Sequence, residues 1–94
     1  MELHPNMQLV KDRVEVALPG CYSRIEDLTG GGDHLALLVV SPAFQGLTLM
    51  DQQRFMLKIL GDLYAGPIHA MTIKTYTPEK YREKFGEDPH LTTV

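Results

Sequence analysis

The most restrictive feature of the sequence is an apolar run that lies between two strong turn signals. Residues 35–40 read Leu-Ala-Leu-Leu-Val-Val, between a Thr-Gly-Gly-Gly-Asp segment at 29–33 and the Ser41-Pro42 pair. A short continuous apolar run with such flanks is typical of a buried strand. Any fold for this chain therefore has to place residues 34–41 inside a sheet whose apolar face is covered.

The remaining patterns predict a two-layer α+β domain. Helices are expected at about 6–18, 48–64 and 77–86, and further strands at 22–28 and 68–76, which gives the order α-β-β-α-β-α. Asn6, Thr48 and Thr77 are the expected helix caps. The first two strands, joined by the glycine loop, form an antiparallel hairpin, and the helix between the second and third strands favours a parallel crossover.

Length and composition limit the class of protein. The chain has 94 residues, one cysteine and a formal net charge of −3. We expect a single domain over 1–86, followed by a flexible polar tail at 87–94. One cysteine excludes an internal disulfide and an all-cysteine zinc or iron–sulfur site. No apolar run of membrane-spanning length and no signal peptide are visible, so a cytoplasmic protein that does not enter a membrane is expected.

Residues with catalytic potential do not form a recognisable set. Cys21 has no histidine near it in the sequence, and Ser41 lacks a Gly-x-Ser-x-Gly frame. The glycines at 30–32 lead into a strand and not into a helix, so they do not form a phosphate-binding loop. We therefore expect a protein that is not an enzyme.

Two of the four histidines lie where predicted strands begin. His34 follows the glycine loop and His69 begins the third strand, whereas His4 and His90 are expected in solvent near the termini. If the second and third strands are parallel neighbours, both imidazoles lie at one edge of the sheet. They would then provide half of a metal site, with the other ligands supplied by a partner. The alternative is two unrelated polar residues at strand ends.

The 48–64 helix offers a competing site. Its predicted exposed face carries Gln52, Gln53, Arg54 and Lys58, which are residue types that read bases or contact phosphate. The net negative charge opposes docking on DNA. The alternative is an ordinary solvated helix face.

Two sequence blocks resemble the BolA family. Residues 39–46 read Val-Val-Ser-Pro-Ala-Phe-Gln-Gly, which is similar to that family's Val-Val-Ser-x-x-Phe-x-Gly signature. Residues 68–79 read Ile-His-Ala-Met-Thr-Ile-Lys-Thr-Tyr-Thr-Pro-Glu and resemble its Ile-His-Ala-Leu-x-Ile-Lys-Thr-x-Thr-Pro-Glu block. The 27–34 segment is similar to its hairpin loop. The likeness covers about residues 7–81 and leaves out only the two ends.

The resemblance implies a fold like the class II KH domain and a specific partner. BolA-like proteins pair with monothiol glutaredoxins of the Cys-Gly-Phe-Ser type and share a two-iron two-sulfur (2Fe-2S) cluster with them. The glutaredoxin cysteine and a glutathione thiol hold one side of that cluster. The family's histidine ligand falls on His69, and its loop ligand, His or Cys, falls on His34, so the chain resembles the histidine branch. No cofactor is expected in the isolated protein.

The same resemblance assigns a function and a partner surface. It implies an iron–sulfur cluster assembly, trafficking or sensing factor, and a homodimer is a further possible assembly. The alternative is a DNA-binding transcriptional regulator that uses the 48–64 helix. Gln52-Gln53-Arg54 replaces the Arg-His-Arg of many members, which weakens that alternative, and Tyr81 replaces a tryptophan. The expected partner surface around the histidines consists of Gly30, Gly31, Gly32, Asp33, Phe44, Gly46 and Lys74.

Overall fold

A computed structural model of the chain describes residues 4–64, 66 and 68–86. Within these residues the elements follow in the predicted order: α1 Pro5–Ala17, β1 Tyr22–Asp27, β2 His34–Val40, a 3₁₀ turn Pro42–Phe44, α2 Leu49–Tyr64, β3 Ala70–Tyr76 and α3 Pro78–Phe85. The predicted tail at 87–94 lies outside the described residues. The α+β class and the three-stranded mixed sheet are confirmed.

The sheet has the order β1-β2-β3, with the apolar strand in the centre. β1 and β2 are antiparallel, and β2 and β3 are parallel, as the hairpin loop and the helical crossover predict. Leu37 stands opposite Ile25 on one side and Ile73 on the other. The central position explains why residues 35–40 are apolar without alternation, since β2 is packed on its first face throughout and on its second face at Leu38 and Val40.

The first face of the sheet packs against α1 and α2 and forms the main core. Its members alternate along β2 and recur at helical spacing on α1 and α2. The largest side chains that are fully buried in this core are Val10, Val14, Leu35, Val39, Phe44, Met56, Leu60 and Ile68.

The second face is covered only at one end, by α3. Tyr81 is 3% exposed and packs on Leu38 and Val40 of the central strand. Its ring meets Tyr22 at 5.8 Å and Tyr76 at 6.2 Å between centroids, both edge-on. Tyr81 is therefore a packing aromatic.

The helix ends follow the predicted capping chemistry with one correction. Thr77 Oγ1 accepts from the Lys80 amide at 3.1 Å, and Thr48 Oγ1 accepts from the Asp51 amide at 3.1 Å. The predicted Asn6 cap is wrong. His4 is the N-cap, and its Nδ1 accepts from the Asn6 amide at 3.1 Å, because proline at position 5 occupies the first helical position, where no amide proton is needed.

None of the helices formed by the described residues is long and apolar enough to cross a membrane.

Candidate functional site

The parallel register of β2 and β3 brings His34 and His69 together. His34 stands opposite Ala70, so the residue before Ala70 lies beside the start of β2. The two imidazole rings stack with centroids 6.2 Å apart and planes 28° apart. The predicted approach of these histidines, which are 35 positions apart in the sequence, is confirmed. We call His34, His69 and Asp33, which directly precedes His34, the histidine edge.

Backbone hydrogen bonds hold the two strand starts together. The Asp33 carbonyl accepts from the His69 amide at 2.9 Å and from the Ala70 amide at 3.1 Å. Because both bonds involve only main-chain atoms, the spacing of the two backbone segments at the histidine edge does not depend on side-chain rotamers. The loop before β2 and the segment before β3 are therefore tied together at this point.

The Asp33 carboxylate lies next to the His34 ring. Its Oδ2 is 3.7 Å from His34 Nε2, and its Oδ1 accepts from Thr29 Oγ1 at 2.8 Å. That hydrogen bond is the main cause that lowers the pKa of the Asp33 carboxyl, with smaller contributions from the two histidines. At 3.7 Å this is a close approach and not a hydrogen bond. In metal sites a carboxylate orients a histidine ligand by accepting its second ring N–H, and Asp33 lies near enough for that role after a small side-chain rotation.

Asp27 organises the glycine loop, and sequence analysis missed this role. Its carboxylate accepts from the amides of Gly30 at 2.9 Å, Gly32 at 3.0 Å and Thr29 at 3.3 Å. Aspartate that bonds backbone amides two or more positions later is a common turn-forming arrangement. The Asp-Leu-Thr-Gly sequence at 27–30 indicates such a turn. It does not tell from which backbone amides the Asp27 carboxylate accepts.

The loop is anchored on the start of α1 at Gly32. Asn6 Nδ2 donates to the Gly32 carbonyl at 2.8 Å. Gly32 has a φ of +73°, and a Cβ at this position would lie 2.3 Å from the His4 ring. His4 is therefore partly buried against the loop and not in open solvent as expected. Gly30, with a φ of +84° and open space around it, is the freer position.

The histidine edge is open to solvent and supplies two nitrogen donors. The His34 side chain is 46% exposed, and His69 is also exposed. Among the described residues, no three His, Cys, Asp or Glu side chains are grouped to hold a metal ion. A metal–imidazole bond is about 2 Å long, so rings 6.2 Å apart can reach one metal centre after side-chain rotation. The donor set fits half of a coordination shell.

The other predicted partner residues are divided by the fold. Gly30, Gly31, Gly46 and Lys74 are exposed. Phe44 is 1% exposed, so its assignment to the partner surface is wrong.

Phe44 belongs to the core because the 3₁₀ turn directs its ring inward. Ser41 Oγ caps that turn by accepting from the Ala43 amide at 3.1 Å. The Phe44 ring meets Phe55 of α2 edge-on at 6.2 Å between centroids.

Two of the four predicted DNA-reading residues are engaged within the fold. Gln52 is 9% exposed; its Oε1 accepts from Thr75 Oγ1 at 2.7 Å and its Nε2 donates to the Leu47 carbonyl at 3.1 Å. Gln53 Nε2 donates to the Ile73 carbonyl at 3.1 Å. The prediction of Gln52 as a member of an exposed reading face is wrong, because α2 lies with this side against β3, and Gln53 is half-buried.

The two cations on α2 remain exposed. Arg54 is an exposed side chain 3.6 Å from Asp51, one turn earlier on the same helix, and Lys58 is exposed. Farther along the helix, Asp62 forms a two-pronged ion pair with Arg13 of α1, with Nη2 2.9 Å from Oδ2. The α2 surface therefore offers few cations that are free for a phosphate backbone.

Cys21 has the properties of a structural residue. It is 8% exposed, and burial is the main cause that raises the pKa of its thiol. A raised thiol pKa reduces the thiolate that would act as a nucleophile or a metal ligand.

Comparison with protein-family models gives a match over residues 7–80 to the family described as BolA-like protein. BolA-like protein 1 of Mus musculus is 35% identical over 54 residues, which are 57% of this chain and 39% of that protein. The DNA-binding transcriptional regulator BolA of Vibrio cholerae is 35% identical over 60 residues, 64% of this chain and 57% of that protein. The alignments thus span about half of the length of these relatives or less.

Solved structures share the fold. The BolA domain of SufE1 from Arabidopsis thaliana has a TM-score of 0.75 and 28% identity, covering 83% of this chain and 98% of that one. Yeast Fra2 has a TM-score of 0.62 and 33% identity, covering 79% of this chain and 81% of that one. The element order described above is therefore that of an established domain fold.

Proposed function

Because the chain belongs to the BolA-like protein family, whose model matches residues 7–80, we propose that it is a binding module for iron–sulfur clusters. It would pair with a monothiol glutaredoxin of the Cys-Gly-Phe-Ser type and share a 2Fe-2S cluster with it. The role would be cluster assembly, trafficking or sensing, without catalysis by this chain. A cytoplasmic location goes with this proposal.

The observation that carries the proposal is the pairing of two exposed imidazoles at one edge of the sheet, 6.2 Å apart. Two neutral nitrogen donors leave a metal centre incompletely ligated, so a second protein or a small thiol has to complete the site. A glutaredoxin cysteine and a glutathione thiol have the required chemistry. The arrangement thus suits a cluster that bridges two molecules.

The two histidines have different supports, which suggests different roles. The His69 amide is hydrogen-bonded to the Asp33 carbonyl, and its backbone is fixed to the strand next to it. His34 follows a loop of three glycines, and its ring lies beside the Asp33 carboxylate. We assign His69 as the main ligand and His34 as the second, adjustable ligand.

Histidine ligands would give the shared cluster distinct properties. Replacing thiolates with neutral imidazoles raises the reduction potential of a 2Fe-2S centre. Imidazole binds iron only through a deprotonated nitrogen, so acidification is expected to weaken cluster sharing. The Asp33 carboxylate would orient the His34 ring when that ring binds iron.

The test is to mix this protein with a purified holo monothiol glutaredoxin and glutathione and to record visible circular dichroism. We expect the glutaredoxin cluster spectrum to change into that of a mixed complex at a one-to-one ratio. Bovine serum albumin at the same concentration is the negative control. A spectrum that stays that of the holo glutaredoxin alone would exclude the proposal.

A second candidate function rests on the name of one relative. The Vibrio cholerae relative is named a DNA-binding transcriptional regulator, and Arg54 and Lys58 are exposed on α2. A gel-shift titration at several salt concentrations decides it, because phosphate contacts weaken steeply with salt. Binding that falls in the Arg54→Ala/Lys58→Ala variant would support this function, and the absence of any shift at moderate salt would remove it.

A further inference from the structure

The second face of the sheet contains an uncovered trough, of whose lining residues only Lys74 has been assigned a role above. It has a volume of about 340 Å³ and lies between the strands and the last turn of α3. We call it the sheet trough; its main lining residues are Arg24, Glu26, Leu38, Lys74, Tyr76 and Lys84. α3 covers only the end of the face where Tyr81 packs, so the trough is open beyond that helix.

A cross-strand row of two cations and one leucine forms the floor of the trough. Leu38 lies on the central strand β2. Arg24 of β1 stands opposite it on one side, and Lys74 of β3 stands opposite it on the other. Both cations are exposed, whereas Leu38 is 9% exposed beneath them. The side-chain stems of arginine and lysine cover apolar surface while their charged ends stay in water.

The cations of the trough form no ion pair within the part of the chain that the structure describes. No described carboxylate lies within 4 Å of Arg24, Lys74 or Lys84. Lys84 instead lies over the Tyr76 ring, 5.5 Å from its centroid. Glu26 is the one acidic residue among the described residues that line the trough. In a chain with a net charge of −3, three unpaired cations on one face form a local positive surface.

The sheet trough leads to the histidine edge. Side chains alternate along a strand, so His34, Ala36 and Leu38 of β2 point to the same face. His34 precedes Leu38 by four residues, which is about 13 Å along the strand. A partner that contacts His34 from this side and extends about 13 Å along β2 therefore reaches the row of Arg24 and Lys74.

We propose that the sheet trough is the docking surface for a carboxylate-rich segment of the cluster-bearing partner. This inference rests on the proposed function and adds the part of the chain that selects the partner. Asp or Glu side chains of that segment pair with Arg24, Lys74 and Lys84, and an apolar side chain of the segment covers Leu38. The charge contacts guide the partner onto the face, and the histidine edge then receives the cluster.

A protein segment fits this face better than a nucleic acid does. Three cations neutralise few phosphates, and Glu26 and the net negative charge oppose a polyanion. Because the trough leads to the histidine edge, its occupant also has to carry the remaining ligands of the cluster. Nucleic acid is therefore the alternative that the experiment has to separate.

The experiment measures the affinity of purified holo monothiol glutaredoxin for the wild type and for the Arg24→Glu/Lys74→Glu variant. We expect the variant to bind at least about tenfold more weakly at low salt, with a smaller difference in concentrated salt, where charges are screened. The Lys11→Glu/Lys80→Glu variant is the matched control, with the same change of net charge. The Arg24→Gln/Lys74→Gln variant removes the two charges without reversing them. We expect it to lose less affinity than the Glu variant, which would show that the effect follows charge. Thermal unfolding verifies that each variant is folded.

The outcomes separate this inference from the proposed function. Equal weakening in the trough variant and the control variant, while the wild type still changes the cluster spectrum, would overturn the docking surface alone. No binding and no spectral change with the wild type would overturn both. A fluorescent single-stranded oligonucleotide is titrated in parallel. If the trough variant loses oligonucleotide binding and keeps glutaredoxin binding, nucleic acid is the occupant and the inference is wrong.

Discussion

The histidine edge and the surface of α2 are built in opposite ways. At the histidine edge, side chains from two strands meet through backbone hydrogen bonds, and the imidazoles stay exposed. On α2, Gln52 and Gln53 are neighbours in the sequence, yet both amides are hydrogen-bonded to β3 or to the turn before α2. A cluster of polar residues in a sequence is therefore a weaker sign of a binding site than polar residues that the backbone brings together and leaves unengaged.

The largest expected effect lies at the histidine edge. We expect His69→Ala to abolish the change that this protein causes in the circular dichroism of holo glutaredoxin. His34→Ala should alter that spectrum without abolishing the interaction, because the loop ligand is the adjustable one. His90→Ala is the control for the loss of a histidine elsewhere. A normal mixed spectrum with His69→Ala would contradict the ligand assignment.

The loop that precedes His34 provides the next test. Gly32→Ala is expected to lower the free energy of unfolding by about 2–3 kcal/mol, since it places a side chain at positive φ and displaces the His4 cap. Gly30→Ala, at positive φ but in open space, should cost about 1–2 kcal/mol. Urea unfolding measures both variants. Equal costs would mean that the His4 ring does not restrict the space at Gly32.

On α2, the comparison predicts that Gln52 stabilises the fold and Arg54 does not. Gln52→Ala leaves the Thr75 hydroxyl and the Leu47 carbonyl without their partner, which should cost about 1–3 kcal/mol. Arg54→Ala removes an exposed pair with Asp51 and should change stability by less than about 0.5 kcal/mol. Chemical denaturation gives both values. If Gln52→Ala leaves the free energy of unfolding unchanged, the hydrogen bonds of Gln52 do not stabilise the fold, and Gln52 would again be a candidate for recognition.

The smallest effect concerns the ion pair between α1 and α2. The Arg13 hydrogen bond lowers the pKa of the Asp62 carboxyl below the reference value of 3.8. The pair therefore stabilises the fold above that value, and this stabilisation is lost as the pH falls through the folded-state pKa. Asp62→Asn should be less stable than the wild type near neutral pH, and the two should converge in strong acid.

Unfolding curves between neutral and acidic pH measure this dependence. The control is Glu83→Gln, at an exposed position without an ion pair to any described residue. A constant difference between Asp62→Asn and the wild type at all pH values would show that the pair does not contribute.

Much of the architecture could be predicted because its signals are local. Thr77, Pro78 and Gly86 mark the ends of α3 through capping geometry that extends over only one turn. The run at 35–40 indicates a buried strand by its length and its flanking turn signals. The approach of His34 and His69 also followed from local signals, since two predicted strands joined through a helix imply parallel pairing.

Two of the errors concern which way a side chain faces. Phe44 and Gln52 lie in segments of the predicted kind, yet both are buried. The Asn6 error concerns the start of α1, because the N-cap lies two positions earlier, at His4. The anchoring of Gly32 by Asn6 joins residues 26 positions apart, a contact that no local pattern contains.

The sequence by itself determined the kinds of elements, their order and the chemistry that each carries, because turns, caps and strand propensity depend on a few neighbouring residues. Tertiary structure decided which polar side chains remain available. Gln52 and Gln53 are engaged by the sheet, while His34, His69, Arg24 and Lys74 stay exposed. The physical reason is that a buried polar group must find a hydrogen-bond partner. That partner comes from whichever element packs against it, and packing is a property of the whole fold.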